Sequence, residues 1–233
     1  MFDGLFLINS TIDATHAPGL TVFNTQERFN QLIETLDSID KHCPNSVKIV
    51  FDMSPKDVSE EYQTAISSRE NTWFIDMGKH EYVQIFSYNA LRSQAETYAM
   101  MGLLDWLETQ DIVAKRIYKI SGRYTLNDNF ILNDDRYKDA FVFSESIPSW
   151  MDKDTQDRVG VNRLFRLRLW HMDFNLLNAF HKELSNIFED CSTHRIDIEH
   201  SYYKNLHDKY KIVEVPKIGV SGTIAPSGEV IDE

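Results

Sequence analysis

Short apolar runs alternate with helix-like periodicities over the first half of this chain. Four runs of apolar and β-branched residues are typical of buried parallel strands, and they cover 5–8, 47–51, 73–75 and 116–120. A polar or small residue follows each run, as expected where a strand ends in a loop. The pattern therefore predicts four strands that alternate with helices.

Capping residues and apolar spacing predict the helices between these strands. Asn24 and Glu27 match a capping box, and the apolar residues after them recur at helical spacing, so we expect a helix over 25–41. Ser54 followed by Pro55 is typical of the start of another helix. A third, long helix is predicted from the face that Leu91, Ala95, Tyr98, Met101 or Gly102, and Leu104 share.

The second half of the chain has a less regular pattern. Apolar runs at 140–143 and 167–170 predict strands, and the spacing over 176–187 predicts a helix. The intervening stretch 144–162 contains Pro148 and three aspartates, which suits an exposed loop over a site. The glycine-rich tail 216–233 is expected to be flexible, either as a frayed terminus or as a lid.

Repeated strand–helix–strand order implies right-handed crossovers and a mainly parallel sheet with helices on both faces. The 233 residues, 42% of them hydrophobic, suit one compact α/β domain. In such a sheet the loops after residues 8, 51, 75 and 120 converge at the carboxyl edge. We therefore expect a ligand site at that edge.

Composition and charge limit the partners. A net charge of −12 opposes general attraction to nucleic acid or anionic lipid, so an anionic ligand would need a local cationic pocket. Cys43 and Cys191 lack the spacing of a disulfide framework or a zinc site. The chain shows neither a signal peptide nor an apolar stretch long enough to span a membrane. These features predict a cytoplasmic protein without an integral membrane segment, and they leave the oligomeric state open.

The most informative segment, 119–124, follows the fourth strand. Gly122 lets backbone approach a ligand closely, while Arg123 and Tyr124 supply donors that match phosphate. If the strand continues, alternation places Lys119, Ser121 and Arg123 on one side, and Tyr118 and Tyr124 on the other. This segment is therefore the predicted centre of the site.

The order of elements and their polar strand ends resemble the GT-A-type glycosyltransferases over most of residues 5–205. The resemblance implies a Rossmann-like sheet whose nucleotide-binding half covers about 1–125 and whose acceptor-binding half covers about 126–215. It also implies that Asn9, Ser10, Thr11 and Asp52 hold the nucleotide base and ribose.

Two further motifs carry the resemblance. Asn89-Ala90-Leu91-Arg92 is similar to an Asn-Ala-x-Arg helical segment, which makes Arg92 a donor-binding candidate. In inverting members a carboxylate near the start of a late helix is the general base, and Glu199 occupies a comparable place, with Asp197 in reserve. Trp150, in a polar loop, is the expected sugar contact of the acceptor.

At the expected diphosphate strand end the chain departs from the family. Most members carry an Asp-x-Asp pair there for a divalent metal, whereas this chain has Ser121-Gly122-Arg123. A role for manganese or magnesium is thereby left open. Lys119 and Arg123 could instead provide the positive charge that the leaving nucleoside diphosphate requires.

The resemblance thus implies a glycosyltransferase of polysaccharide biosynthesis that transfers a sugar from a UDP-sugar to a glycan acceptor with inversion. A different interpretation is a non-catalytic nucleotide- or glycan-binding protein with a degenerate glycosyltransferase fold. A nucleotidyltransferase is disfavoured, because no cluster of carboxylates for two metals follows a strand.

Several candidates also have purely structural interpretations. Arg123 could pair with Asp128, and Arg92 with Glu96 one helical turn away. Asp52 could be a turn residue ahead of Ser54.

Asp197 and Glu199 could be acids that stabilise a helix amino end. The basic residues Arg163, Arg166 and Arg168 could meet an anionic acceptor or form salt bridges with nearby acids. His171-Met172-Asp173 is interpreted as a turn and cap in preference to metal ligands.

Overall fold

The protein is an α/β molecule built on one large sheet. The computed structural model describes residues 1–15, 21–224 and 227–233. Within them a seven-stranded sheet has the order β10-β6-β9-β4-β1-β2-β3. Its strands are β1 (Phe2–Ser10), β2 (Ser46–Asp52), β3 (Thr72–Asp76), β4 (Ala114–Ser121), β6 (Phe141–Ser144), β9 (Leu169–Asp173) and β10 (Ile212–Val215). The sequence-based prediction of an α/β fold with a mainly parallel sheet is confirmed.

All pairings in this sheet are parallel except those of β9, which runs antiparallel to β4 and to β6. The register pairs Asn9 of β1 with Ser121 of β4, and Ser10 with Asp52 of β2. The carboxyl ends of the central strands therefore lie at one edge, as expected for a parallel sheet.

Seven α-helices are present in the described residues. They are α1 (Thr25–His42), α2 (Glu60–Ser67), α3 (Glu81–Tyr88), α4 (Arg92–Glu108), α5 (Lys153–Val159), α6 (Leu177–Glu189) and α7 (Ile198–Leu206). The α1 start is the predicted capping box: Asn24 Oδ1 accepts from Glu27 N at 2.9 Å, and Glu27 Oε2 accepts from Asn24 N at 2.7 Å. No described helix has the length and hydropathy needed to span a bilayer.

Hydrophobic cores cover both faces of the sheet. Along β1, Leu5 and Leu7 belong to one core, and Phe6 and Ile8 belong to the other. Because neighbouring residues of a strand point to opposite faces, both faces of β1 are buried, which explains its uninterrupted apolar sequence.

The predicted helix start at Ser54 is wrong. Helix α2 begins later, and its cap is Ser59, whose side chain accepts from Tyr62 N. Ser54 is buried and its hydroxyl accepts from Asp13 N at 2.9 Å. The serine therefore satisfies the backbone of the loop after β1, a long-range contact that local capping rules do not contain.

The segment Asn89-Ala90-Leu91-Arg92 is not helical throughout, contrary to the prediction. It is the junction of α3 and α4, where Ala90 has φ 57° and Leu91 precedes the first residue of α4. Leu91 is consequently exposed and does not start the buried face of α4. The break places Arg92 at the amino end of a helix.

Strand β9 begins and ends later than the predicted strand at 167–170. It includes His171, which was predicted to lie in a turn; the ring is buried and its Nδ1 accepts from Arg116 Nε at 3.0 Å. Burial lowers the pKa of His171, with a smaller contribution from Arg116. Asp173 does act as a cap, since its carboxylate accepts from Asn175 N.

The remaining strands lie outside the large sheet. β5 (Tyr124–Leu126), β11 (Val220–Thr223) and β12 (Val230–Asp232) form a three-stranded antiparallel sheet, and β7 (Ile147–Pro148) pairs with β8 (Arg163–Leu164). The tail that was expected to be flexible thus contributes two strands, while Pro226 of that tail lies outside the described residues. The predicted loop 144–162 holds β7 and α5.

Candidate functional site

A cavity of about 560 Å³ opens at the carboxyl edge of β1 and β4. Most of the predicted site residues line it. These are Asn9, Thr11, Arg92, Lys119, Ser121, Arg123, Tyr124, Trp150, Asp197 and Glu199. Three other predicted residues do not line the cavity but are adjacent in sequence to residues that do: Ser10, Asp52 and Gly122.

The end of β4 follows the predicted alternation in part. Lys119, Ser121 and Arg123 face the cavity, and Tyr118 is packed in the core on the opposite face. Tyr124 also lines the cavity, because the strand breaks at the turn 122–123 before β5 begins. Tyr124 is nevertheless buried in the same core as Tyr118, as the alternation predicts.

Gly122 holds this turn against β1. Its N–H donates to Asn9 O at 2.8 Å, and a Cβ on this residue would lie 2.9 Å from Leu32 Cδ1. The close approach explains the glycine, which shapes the site through the backbone.

Asp52 stabilises the loop after β1 by accepting a hydrogen bond from its backbone. Its carboxylate accepts from Ile12 N at 3.0 Å and from Ser54 N at 2.9 Å, and it is fully buried. Burial raises the pKa of Asp52, and hydrogen bonds from Ser54 and Ile12 oppose that rise. Asp52 is therefore placed to order Thr11 and its neighbours, and a direct contact with ribose stays a prediction.

Three arginines on different elements line the cavity: Arg28 of α1, Arg92 of α4 and Arg123 of the turn after β4. The Arg28 Nε donates to Thr11 O at 3.0 Å. The Arg123 guanidinium lies 4.9 Å from the ring centre of Tyr124, and among the described residues its buried Nε has no hydrogen-bond partner.

The charges of these arginines interact. The pKa of Arg28 is lowered to about 10. Burial is the largest cause, and the positive charges of Arg123 and Arg92 also contribute to the lowering. The pKa of Arg92 is also lowered, by burial and then by Arg123. A cluster of like charges in a partly buried site is suited to bind a polyanion.

Sequence reasoning missed Arg28, although a signal for it exists. Arg28 precedes Leu32 by one helical turn, and Leu32, Thr35, Leu36 and Ile39 form the buried face of α1. A charged residue on the inward face at the start of a helix indicates that something polar lies opposite.

Lys119 lines the cavity but is engaged by protein groups. Its Nζ lies 2.7 Å from Glu96 Oε1 and 3.1 Å from Leu167 O, and its side chain is 2% exposed. The structural alternative paired Glu96 with Arg92; the ion pair found at Glu96 is with Lys119 and joins α4 to β4. Lys119 therefore holds α4 and the segment before β9 against β4, and its ammonium group is already bound by protein oxygens.

The residues at this strand end do not fit a divalent metal. In the part of the chain that the structure describes, no three His, Cys, Asp or Glu side chains converge as ligands. Where the resemblance leads one to expect a carboxylate pair, the chain places the Arg123 cation, which repels a metal ion.

The first turn of α7 contributes the carboxylates. Asp197 is the amino-terminal cap, and its side chain accepts from His200 N at 3.0 Å. Glu199 is half-buried, and burial raises its pKa to about 7, with the Asp197 charge as the next cause. The capping interpretation thus holds for Asp197, whereas Glu199 has the pKa of a general base that works near neutral pH.

A hydrogen-bonded chain fastens the Trp150 loop to α7. The His200 ring is fully buried; its Nδ1 lies 2.6 Å from Asp197 Oδ1 and its Nε2 lies 2.8 Å from Ser149 Oγ. If Nδ1–H donates to Asp197, Nε2 accepts from the Ser149 hydroxyl. Trp150 is 63% exposed and meets the His200 ring edge to face at 5.0 Å, so its indole stands at the cavity mouth.

The basic residues of the second half take different partners. Arg163 donates from Nε to Ser146 Oγ at 2.9 Å. Arg166 and Arg168 line the cavity and both pair with Glu233. Asp128, which the structural alternative paired with Arg123, has its Oδ1 3.9 Å from Lys41 Nζ.

No protein-family model and no curated protein sequence matches this chain significantly. Solved structures match its fold. A complex of the galactosyltransferase LgtC with donor and acceptor sugar analogs gives a TM-score of 0.51 at 11% identity, over 86% of this chain and 69% of that one.

Two further structures agree. Core-mannan synthase A from Aspergillus fumigatus, in a Mn/GDP form, gives 0.53 at 9% identity, over 88% of this chain and 70% of that one. The glycosyltransferase GlyE of Streptococcus pneumoniae TIGR4 gives 0.51 at 10% identity over 90% of this chain, which spans 45% of the GlyE chain. The chain therefore has the GT-A fold of nucleotide-diphospho-sugar glycosyltransferases.

Proposed function

We propose that this protein is a glycosyltransferase that moves a sugar from a nucleoside diphosphate sugar, a UDP-sugar in the first instance, to a hydroxyl of a glycan acceptor. The observation that carries the proposal is that three arginines and a carboxylate of raised pKa line the same cavity. Its place at the carboxyl edge of a GT-A sheet supports the same reaction class.

The donor side suits a diphosphate. Arg28, Arg92 and Arg123 present guanidinium groups that can bind phosphate oxygens in pairs. Asn9 and Thr11, at the end of β1, are proposed to contact the base and ribose. Ser121 is paired with Asn9 across the sheet, and Gly122 N donates to Asn9 O at 2.8 Å.

Glu199 is the proposed general base. It accepts the proton of the acceptor hydroxyl, and the oxygen attacks the anomeric carbon from the face opposite the diphosphate. The bond from that carbon to the diphosphate oxygen breaks, its electron pair stays on the oxygen, and the configuration inverts. A positioned carboxylate contributes roughly a hundred- to ten-thousand-fold to such a rate.

The arginines stabilise the departing diphosphate. Negative charge accumulates on the leaving oxygen as the bond breaks, and preorganised cations at that place lower the barrier. Since the residues present do not fit a divalent ion, this role falls on Arg123 and its two neighbours. Trp150 is proposed to stack against the acceptor sugar.

The test is hydrolysis and transfer from UDP- and GDP-sugars, measured with manganese and with a chelator, on the wild-type protein and on Glu199→Gln. We expect turnover in both media, and loss of turnover in the variant with donor affinity retained. The anomeric configuration of the first product, read by proton NMR, tests the inversion. Absence of turnover together with absence of calorimetric donor binding contradicts the proposal.

A non-catalytic nucleotide- or glycan-binding protein is the second candidate. The replacement of the expected acidic pair by Ser121-Gly122-Arg123 favours it. Such a protein would bind UDP-sugar with the same affinity in the wild type and in Glu199→Gln, and neither form would turn over.

A further inference from the structure

The segment before β9 carries an arginine pair whose geometry is set by the sheet. Phe165 and Leu167 point into a hydrophobic core, and the alternate residues Arg166 and Arg168 lie at the cavity wall. The Arg168 carbonyl accepts from Ser121 N at 3.0 Å, which fixes this segment against the end of β4. Both guanidinium groups are therefore built into the site.

A single carboxylate oxygen occupies this arginine pair. Glu233 Oε1 lies 3.0 Å from Arg166 Nη1 and also contacts Arg168 Nη1. The second oxygen, Oε2, is buried and has no hydrogen-bond partner among the described residues. Two guanidinium groups can hold both oxygens of a carboxylate in paired hydrogen bonds, so Glu233 fills the site incompletely.

Glu233 directly follows β12 and is paired with β11 through its backbone. Glu233 N donates to Val220 O, and Glu233 O accepts from Gly219 N and Val220 N, each at 2.8 Å. The adjacent strand β12 has three residues, lies at the edge of its sheet and leaves Val230 77% exposed. The backbone is nevertheless anchored by Asp232, whose carboxylate accepts from Asn127 Nδ2 and from Ser221 Oγ, each at 2.8 Å. We therefore expect the Glu233 side chain to leave the arginines by rotation about its own bonds, with the backbone pairing kept.

The other charged groups of the cavity have separate tasks. Lys119 and Glu96 neutralise each other, and the Arg28, Arg92 and Arg123 cluster faces the donor side. Arg166 and Arg168 thus remain for a second anionic group. Because Trp150 and Glu199 line the same cavity, a molecule bound there could also present a hydroxyl to the base.

We infer that Arg166 and Arg168 form a subsite for a carboxylate on the acceptor, and that the Glu233 side chain occupies this subsite until an acidic sugar displaces it. The inference rests on the proposed function, and it narrows the acceptor to a saccharide that carries a uronate-type carboxylate. The carboxylate of Glu233 shows the chemistry that the pair accommodates.

The test is an NMR titration with methyl β-D-glucuronide and with its neutral counterpart, methyl β-D-glucoside. Glu233→Gln removes the competing charge, so glucuronide is expected to bind this variant about five- to tenfold more tightly than the wild type. The added changes Arg166→Gln and Arg168→Gln are expected to abolish that gain. Glucoside should bind all forms alike.

The matched control is Asp37→Asn. Asp37 forms a partly exposed ion pair with Arg69, away from the cavity. The substitution therefore changes the net charge by the same amount as Glu233→Gln. We expect it to leave glucuronide binding unchanged. An equal gain in this variant, or an equal gain for glucoside in Glu233→Gln, would overturn the inference.

Displacement can also be followed in the wild-type protein, in case Glu233→Gln folds poorly. Glucuronide is expected to shift the carbon-13 resonance of the Glu233 side-chain carboxyl, because that group leaves Arg166 and Arg168 when the ligand binds. An unshifted Glu233 carboxyl resonance at saturating glucuronide contradicts displacement, and tighter binding of methyl glucoside 6-phosphate than of glucuronide contradicts the carboxylate assignment. Titration with UDP keeps the two proposals apart, because failure of UDP to bind removes the transferase while leaving the glucuronide result intact.

Discussion

At the scale of single residues, the surroundings of a side chain decide whether it supports the site or reacts in it. Lys119 lies near the end of β4 and Arg123 follows that strand, and both were predicted to receive phosphate. Lys119 is buried against Glu96, whereas Arg123 lies over Tyr124 with an unsatisfied Nε. The difference arises from α4, which the local sequence around Lys119 does not reveal.

The raised pKa of Glu199 has consequences for both activity and stability. The folded protein binds this proton more tightly than an unfolded chain, whose carboxyl has a pKa near 4.5. The contribution of Glu199 to stability is therefore complete below pH 4.5 and is lost as the pH rises through about 7. The general base is formed over the same range.

We accordingly expect Glu199→Gln to raise the melting temperature at pH 8 by about 2–4 °C, with little change at pH 4.5, because glutamine resembles the protonated acid. Thermal unfolding at the two pH values measures this. In the wild type, kcat/KM should rise with pH through about 7. Equal shifts of melting temperature at both pH values would contradict the burial of this carboxylate.

Arg123→Gln is expected to weaken UDP binding by about tenfold or more, since a charged hydrogen bond to phosphate contributes roughly 1.5–3 kcal/mol. Uridine, which lacks the diphosphate, should lose little affinity. Calorimetry with both ligands measures the difference. The control is Arg136→Gln, an exposed arginine paired with Asp134; an equal loss of UDP affinity there would remove the specific role of Arg123.

At the scale of elements, local signals predicted best where the neighbouring sequence decides the structure. The capping box of α1 and the apolar runs of β1 and β2 are determined by residues close together in the sequence. Their predicted ranges agree with the structure to within a few residues. Ser54 and His171 were misjudged because partners far along the chain, Asp13 and Arg116, determine their roles.

The Lys119–Glu96 pair joins α4 to β4, and its loss should lower the stability of the whole protein. Lys119→Met leaves Glu96 without its cation and is expected to lower the free energy of unfolding by about 2–5 kcal/mol. Lys119→Met combined with Glu96→Gln should recover most of the loss. Urea denaturation measures both variants.

A suitable control for this pair is Lys115→Met, which removes the partly exposed pair with Asp3. It should cost no more than about 1 kcal/mol. A double variant as unstable as Lys119→Met alone would show that packing, and not the unpaired acid, causes the loss.

The Ser149–His200 hydrogen bond couples the Trp150 loop to α7. Either Ser149→Ala or His200→Gln is expected to raise the acceptor KM by about tenfold with donor affinity unchanged, because each detaches the same loop. The double variant should be no worse than the more affected single variant. Additive losses in steady-state kinetics would argue against a shared link.

At the scale of the whole molecule, an acidic protein carries a cationic cavity. The net charge of −12 repels anions from the surface at large, while the arginines attract them locally. Composition alone indicated that such a pocket was needed for an anionic ligand. The residues that form it come from α1, α4 and the turn after β4, so only the folded chain reveals their meeting.

This arrangement predicts the response of donor binding to salt and to chelators. We expect UDP affinity to fall as sodium chloride is raised from about 50 to 500 mM, because the attraction is screened over about 10 Å or less. A chelator should leave the affinity unchanged, since the strand end bears Arg123 in place of a carboxylate pair. Calorimetry measures both, and a large loss of affinity with the chelator would require metal ligands not identified at this site.

The reversed direction of β9 has a consequence for how this architecture can vary. Its amino end lies at the cavity, so the stretch that enters β9 stands beside loops that leave β1 and β4. Side-chain substitutions at Arg166 and Arg168 would remodel one wall while the Arg168 carbonyl keeps its hydrogen bond from Ser121 N. Under the proposed function, acceptor specificity could therefore change during evolution through the stretch before β9, while donor specificity changes through the loops after β1 and β4.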